Sequence, residues 1–178
     1  MRFQVDKSNL TGYHGCRKGW FPVSVRMVGM SRLRFVTVRS HAHELWEIVL
    51  NTEGEGVAEI GGASYPFGPG TILCQPPNVP HTKTAPSGFR DIYLQPNRFP
   101  LGDSVDKNGV LVFQDDAGKS FETLLSLAHR VYHAKAPNHQ RILDALYEAM
   151  YQLLLSWHRR QPQDPEVERL KERMIESF

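Results

Sequence analysis

The stretch His41-Ala42-His43-Glu44-Leu45-Trp46-Glu47 decides how the rest of the chain is read. On an extended strand, residues two apart share a face, so His41, His43 and Glu47 point one way together with Leu45 and Val49. Imidazole nitrogens suit several divalent metals, and a carboxylate adds a negative oxygen ligand. The opposite face carries Trp46, Ile48 and Leu50. A strand that is apolar on its second face needs cover there too. One face fills a barrel, and the other is expected to lie under helices.

Further on comes Gly70-Thr71-Ile72-Leu73-Cys74-Gln75-Pro76-Pro77-Asn78-Val79-Pro80-His81. It reads as a strand, a proline-stiffened turn and a third histidine ready to project inward. A lone H-x-H pair also has a plainer reading, in which the histidines form a polar cavity floor bonded to each other, to water or to a ligand.

Around these stretches, residues 1–115 are rich in glycine, proline and short apolar runs such as Val23-Ser24-Val25-Arg26-Met27 and Arg34-Phe35-Val36-Thr37-Val38. Turn signals at Gly61-Gly62, Gly68-Pro69-Gly70 and Pro86-Ser87-Gly88 separate them, the pattern of a sandwich or barrel. After Asp116 the period changes to that of helices. One stripe runs Phe121, Leu124, Leu125, Ala128, Val131, Tyr132, and a second runs Ile142, Leu146, Ala149, Met150, Leu153, Leu154, Trp157. Pro137 and Asn138 divide them, with Asn138 expected as the second helix's N-cap. A third helix is expected after Asp164-Pro165, with Val167, Leu170, Met174 and Phe178 on its apolar face.

Residues 41–54 read H-x-H-x3-E-x6-G, and this resembles the first motif of the cupin family, with Gly54 closing it. Residues 70–81 read G-x5-P-x-N-x2-H, close to the second cupin motif. Phe35, Asn78 and Ala85 depart from the family pattern, but none replaces a metal ligand. Asn tolerates the left-handed backbone that a glycine would supply at 78. The resemblance implies a mainly β fold with C-terminal helices: a double-stranded β-helix, or jelly-roll barrel. It also implies that His41, His43, Glu47 and His81 converge on one divalent metal (Zn, Ni, Mn or Fe).

The whole layout resembles the effector-binding and dimerisation region of AraC-type bacterial transcription regulators. The resemblance rests on Glu53-Gly54-Glu55-Gly56-Val57, Tyr65-Pro66-Phe67-Gly68-Pro69-Gly70 and Pro76-Pro77-Asn78-Val79-Pro80-His81. It implies a cupin effector-binding barrel over 1–115 and a helical dimerisation segment over 116–162. Residues 163–178 would be the linker and first helix of a helix-turn-helix region that continues past Phe178. That third helix runs apolar to its last residue without a glycine cap, as expected of a chain that continues.

Composition sets outer bounds. The chain has 178 residues, 40% hydrophobic and 22% charged, with a net charge of +2. The first 115 residues carry +2 and the remainder carry none, so neither part has the basic excess of a self-sufficient DNA-binding domain. No apolar run approaches the roughly 20 residues that span a bilayer. The opening MRFQVDKSNL lacks the apolar core of a secretory leader, and two cysteines, Cys16 and Cys74, make no disulfide framework. The expected setting is the cytoplasm.

The expected function is ligand sensing. A small polar, sugar-like effector enters the barrel, with Tyr93 and Gln95 lining it from the opposite wall, and no catalysis is expected. A homodimer is expected through Leu146, Met150, Leu153 and Trp157. DNA would be contacted only through the region after Phe178, and no membrane is involved. The alternative is a stand-alone cupin metalloenzyme, a sugar isomerase or an oxygenase, whose metal would keep open coordination positions. A metal-free carbohydrate-binding module is a third reading. Lys83 is placed at a solvated rim, Cys74 reads as an inert core thiol, and His129 and His133 lie four apart on one helix face. Tyr13, His14, Trp20 and Phe21 form an aromatic segment before the barrel.

Overall fold

The computed structural model describes residues 23–104 and 109–160. The expectations for Cys16, for the aromatic segment from Tyr13 to Phe21 and for the third helix over 163–178 lie outside the described residues.

Among the described residues, eight strands precede two α-helices. They are β1 (Val25–Met30), β2 (Phe35–His41), β3 (Glu47–Glu53), β4 (Gly56–Ile60), β5 (Ala63–Phe67), β6 (Thr71–Gln75), β7 (His81–Pro96) and β8 (Leu111–Gln114), followed by α1 (Ser120–Ala134) and α2 (His139–Arg160). Strand β7 organises the barrel because it is long enough to serve two sheets. Its first part pairs antiparallel with β2 and β4, and its second part with β1 and β3. One sheet therefore runs β5-β4-β7-β2 and the other β8-β6-β3-β7-β1. Between the two parts, Gly88 takes φ 76°, a left-handed conformation that costs glycine little.

The pleat then sorts the side chains. Ile48 and Leu50 on β3, Ile72 and Cys74 on β6, and Ile92 and Leu94 on β7 turn outward and pack under the helices. There they meet Phe121, Leu125 and Ala128 of α1 and Leu143, Tyr147, Met150 and Leu154 of α2. The expected helical cover over the outer sheet face is thus present. Each fully buried side chain of this size contributes roughly 1.5–3 kcal/mol through water exclusion. The Tyr147 hydroxyl donates to the Arg98 carbonyl at 2.9 Å, which satisfies its one polar atom. Inside the barrel, Ala58, Ile60, Phe67, Leu73, Ala85 and Phe89 plug one end. The other end stays open.

The turn into α1 is fastened by carboxylates that precede it. Asp115 accepts from the backbone N–H groups of Phe121 and Glu122 at 3.0 Å each, and Asp116 accepts from that of Ser120 at 3.1 Å. These bonds satisfy donors that a helix start leaves free. Asn138 holds φ 63° before α2, and its carbonyl accepts the Ile142 N–H at 3.1 Å.

The second apolar stripe needs correction. The residues of α2 that face the barrel are Leu143, Tyr147, Met150 and Leu154, whereas Ile142 is 43% exposed. Met150 is only 1% exposed and packs within its own chain, so it cannot be the intersubunit contact expected of it. Leu146 and Trp157 pack partly against the same core, and Leu153 lines a shallow groove with Leu124 and Ala149.

Candidate functional site

The open end of the barrel holds a cavity of about 460 Å³. His41, His43 and His81 reach into it from three places in the chain. The stretch from His41 to Glu47 is not one strand. His41 ends β2, residues 42–46 cross between the sheets, and Glu47 opens β3. Convergence therefore comes from a chain reversal and not from strand alternation. His41 lies opposite His81 in the register of β2 with β7. The turn carrying His81 is stapled to the crossing segment, because the Asn78 N–H donates to the His43 carbonyl at 2.7 Å. Asn78 holds φ 60°, the left-handed conformation expected of it.

The ring nitrogens are sorted by their backbone partners. Nδ1 of His41 lies 2.9 Å from the Arg39 carbonyl, that of His43 lies 2.7 Å from the Leu45 carbonyl, and that of His81 lies 2.9 Å from the Val79 carbonyl. A carbonyl only accepts, so each Nδ1 carries the proton and each neutral ring keeps its lone pair on Nε2. The ligand atoms of the three rings lie within 4.8 Å of one another. The Nε2 atoms of His43 and His81 are buried with no hydrogen-bond partner. Leaving such a group unsatisfied costs about 1–3 kcal/mol. Three lone pairs, aimed together and fixed by backbone bonds on the far nitrogen, suit a divalent transition metal.

Glu47 completes the set less tightly than expected. Its Oε2 lies 3.4 Å from His43 Nε2 and 3.7 Å from His81 Nε2, and the compact group itself consists of the three histidines. Its Oε1 accepts from Gln95 Nε2 at 3.0 Å. Burial pulls the Glu47 carboxyl up, but the neighbouring His43 and the Gln95 amide outweigh that and hold it below its ordinary value. The Glu47 carboxylate raises His43, whereas burial lowers His81. A metal would therefore have to displace a proton that the carboxylate favours on His43, whereas His81 is already biased toward its neutral form.

Tyr93 and Gln95 do line the cavity, from the second half of β7. The Gln95 amide is engaged with Glu47, while the Tyr93 hydroxyl lies 3.8 Å from the Met27 sulfur. Lys83 is not at a rim. It is 5% exposed, and its Nζ donates to Asn51 Oδ1 at 2.6 Å and to Asp91 Oδ2 at 2.7 Å. The ammonium also sits over the rings of Phe67 and Phe89, at 4.7 and 4.3 Å from their centroids. Asp91 accepts a further short hydrogen bond from the Ser31 hydroxyl. This polar cluster escapes the sequence reading because its members come from β3, β7 and the segment after β1. The one signal in the sequence was the alternation of His81, Lys83 and Ala85. Gln75, whose register partner on β3 is Glu47, was also missed.

Cys74 is buried, and burial pushes its thiol up, as expected of an inert core residue. The rings of His129 and His133 lie tilted against each other with centroids 4.4 Å apart, but burial and neighbouring His133, Arg32 and Arg130 lower His129. Cationic surroundings of this kind disfavour a metal ion.

Among the curated proteins none matches the chain. Similar solved structures include an RmlC-like cupin from Shewanella frigidimarina, 21% identical over 42% of this chain and 68% of that one, with a TM-score of 0.38. A cupin protein from Bacteroides fragilis is 24% identical over 39% of this chain and 61% of that one, with a TM-score of 0.33. A salicylate 1,2-dioxygenase from Pseudaminobacter salicylatoxidans is 14% identical over 49% of this chain and 24% of that one, with a TM-score of 0.34. The AraC-like ligand binding domain matches residues 34–176, which takes in β2 to β8, the histidine cluster and both helices, and the chain therefore belongs to that family.

Proposed function

We propose that this chain is the effector-sensing and dimerisation part of an AraC-type transcription regulator, working in the cytoplasm. Its effector is a small polar, sugar-like molecule bound in the barrel beside a divalent metal (Zn, Ni, Mn or Fe). The observation that carries this reading is the trio of inward Nε2 lone pairs, each fixed by a backbone carbonyl on the opposite nitrogen. His41, His43 and His81 would hold the metal, with Glu47 as the adjoining carboxylate. A bound dication supplies a Lewis-acid anchor for ligand oxygens. Gln95 keeps the Glu47 carboxylate oriented, and Tyr93 offers a hydroxyl from the facing wall.

Signalling would be a shift in population. An effector that prefers one packing of the barrel stabilises the matching arrangement of α1 and α2 by its difference in affinity. Part of the helix pair meets a second chain, with Leu146, Leu153 and Trp157 at the margin of the covered face. DNA binding would belong to a separate helix-turn-helix region of the regulator.

The rival reading, a cupin metalloenzyme such as a sugar isomerase or oxygenase, needs a general acid or base beside the metal. Besides Glu47 and the histidines, the ionisable candidates among the described lining residues are Lys83, Asp91 and Tyr93; Lys83 and Asp91 are engaged with each other and with Asn51 and Ser31, and burial pushes the Tyr93 phenol above its ordinary value. That engagement favours binding over turnover. Elemental analysis of chelator-free protein should find close to one divalent ion per chain, lost in His81→Ala. Absence of metal, with none taken up on titration, would return the histidines to a plain polar floor. Turnover of a sugar or an oxygenase substrate, abolished in Glu47→Ala with metal retained, would favour the enzyme.

A further inference from the structure

The cavity wall has a charge balance that constrains its ligand. Apart from the histidines, the ionisable acids and bases of opposite sign among its described lining residues are Glu47, Lys83 and Asp91. Lys83 and Asp91 lie 2.7 Å apart, and their charges sum to zero whichever atom holds the proton. Glu47 is left as the one remaining formal charge, beside imidazoles that are neutral when they hold a metal. A dication on those imidazoles, set against one carboxylate, would leave a single positive charge in this open-ended cavity, beside the buried Glu47 and His81. A charge partly withdrawn from water is favoured by an opposite charge that meets it. A neutral sugar leaves that charge standing, whereas a monoanion closes the balance.

A second observation says what sits next to the anionic group. Gln75 is 1% exposed, lines the cavity and lies opposite Glu47 in the register of β3 with β6. Its Oε1 is buried with no hydrogen-bond partner. Gln95, the other amide on this wall, donates to Glu47 and is not open in the same way. A carboxamide offers both an acceptor and donors, and a hydroxyl answers either. Met27, Val38 and Val49 line the same cavity and suit the C–H faces of a compact carbon skeleton.

We propose that the barrel takes a sugar-like monoanion, a hydroxy acid with one carboxylate and a neighbouring hydroxyl, and that Gln75 reads that hydroxyl. The proposal rests on the metal-holding reading above and narrows its ligand from sugar-like to acid. Gln75 is a specificity-determining residue here and not a metal ligand.

The test uses the full chain loaded with Ni(II) or Zn(II) and titrated by calorimetry with D-galacturonate, D-gluconate, D-galactose and acetate, with metal content measured before and after. At least one sugar acid should bind at least about tenfold more tightly than galactose, a factor corresponding to one lost charge-assisted contact. Gln75→Leu should weaken the sugar acid about tenfold and leave acetate and metal content unchanged. Gln75→Glu adds the missing negative charge and should move the preference from acid to galactose. Galactose binding as tightly as both acids, or no acid binding at millimolar concentration, overturns the proposal while leaving the metal reading in place. Unchanged sugar-acid binding in Gln75→Leu removes Gln75 from it. Protein that folds but takes up no metal overturns the metal reading and this proposal together.

Discussion

Strand β3 has two faces that are equally buried and built for different ends. Ile48 and Leu50 point outward into the layer formed with Phe121, Leu143 and Tyr147, where the side chains are apolar or have their polar atom bonded. Glu47, Val49 and Asn51 point inward, where Glu47 meets two histidines and Asn51 meets Lys83. The outer face is a packed interior, in which stability depends on volume. The inner face surrounds open space, and its order depends on pairing polar groups. Substitutions on the outer face should therefore cost stability without touching the site, and those on the inner face should do the reverse, except where a buried charge loses its partner.

The largest effects are expected where that rule is most exposed. Phe121→Ala should lower unfolding free energy by about 3–5 kcal/mol, because the helix–sheet layer cannot collapse around the missing ring. Metal content per folded molecule should not change, as read by denaturant titration alongside elemental analysis. Lys83→Met lies on the inner face yet should cost about as much, roughly 3–5 kcal/mol, because it leaves Asp91 buried and unpaired. The double variant Lys83→Met with Asp91→Leu should regain much of that loss. A single Lys83→Met variant as stable as the parent would mean that the inner face carries no ion pair of consequence.

The same two faces explain what could be read from residues alone. The barrel and the helical cover were legible, because turn residues and periodicity carry them, and the meeting of His41, His43, Glu47 and His81 was implied by the cupin resemblance. The route by which they meet was not. His41 and Glu47 belong to different strands, and a short segment with the spacing of a strand can equally be a crossing. Lys83 and Asp91 are eight residues apart on β7, on opposite sides of the Gly88 bend, so their pairing exists only once that strand turns between sheets. On α2, two apolar stripes run side by side. Ile142-Leu146-Leu153 is as periodic as Leu143-Tyr147-Leu154, and the second packs on the barrel, where the Tyr147 hydroxyl also bonds the Arg98 carbonyl.

A smaller effect on stability separates the proposed metal site from the packing around it. His81→Ala removes one hydrogen bond to the Val79 carbonyl, worth about 0.5–1.5 kcal/mol, from a side chain that borders open space. Metal uptake should fall by at least tenfold while the chelator-treated protein unfolds within about 1.5 kcal/mol of the parent. Loss of metal together with a far larger loss of stability would show that His81 is a packing residue and that the two faces are not separable there.

The smallest effect on stability should come from the outermost apolar surface of the helices, and it tests assembly. Met150→Asp is unsuited to the purpose, because a charge at that buried position would disrupt the chain's own core and give monomers by unfolding. Ile142 is 43% exposed at the start of α2, and Leu127 is 37% exposed on α1. A polar side chain at either position keeps its contact with water, so Ile142→Asp should change unfolding free energy by no more than about 0.5 kcal/mol. If the helices pair across a two-fold axis, each such substitution appears twice in the interface, and a carboxylate near the axis then faces its own copy. The parent protein should sediment as a dimer at tens of micromolar, and Ile142→Asp or Leu127→Asp should sediment as a folded monomer with its metal in place. A parent that is monomeric at that concentration removes dimerisation from this face. A dimer that survives both substitutions moves the interface toward the groove of Leu124, Ala149 and Leu153, where Leu153→Asp becomes the deciding variant.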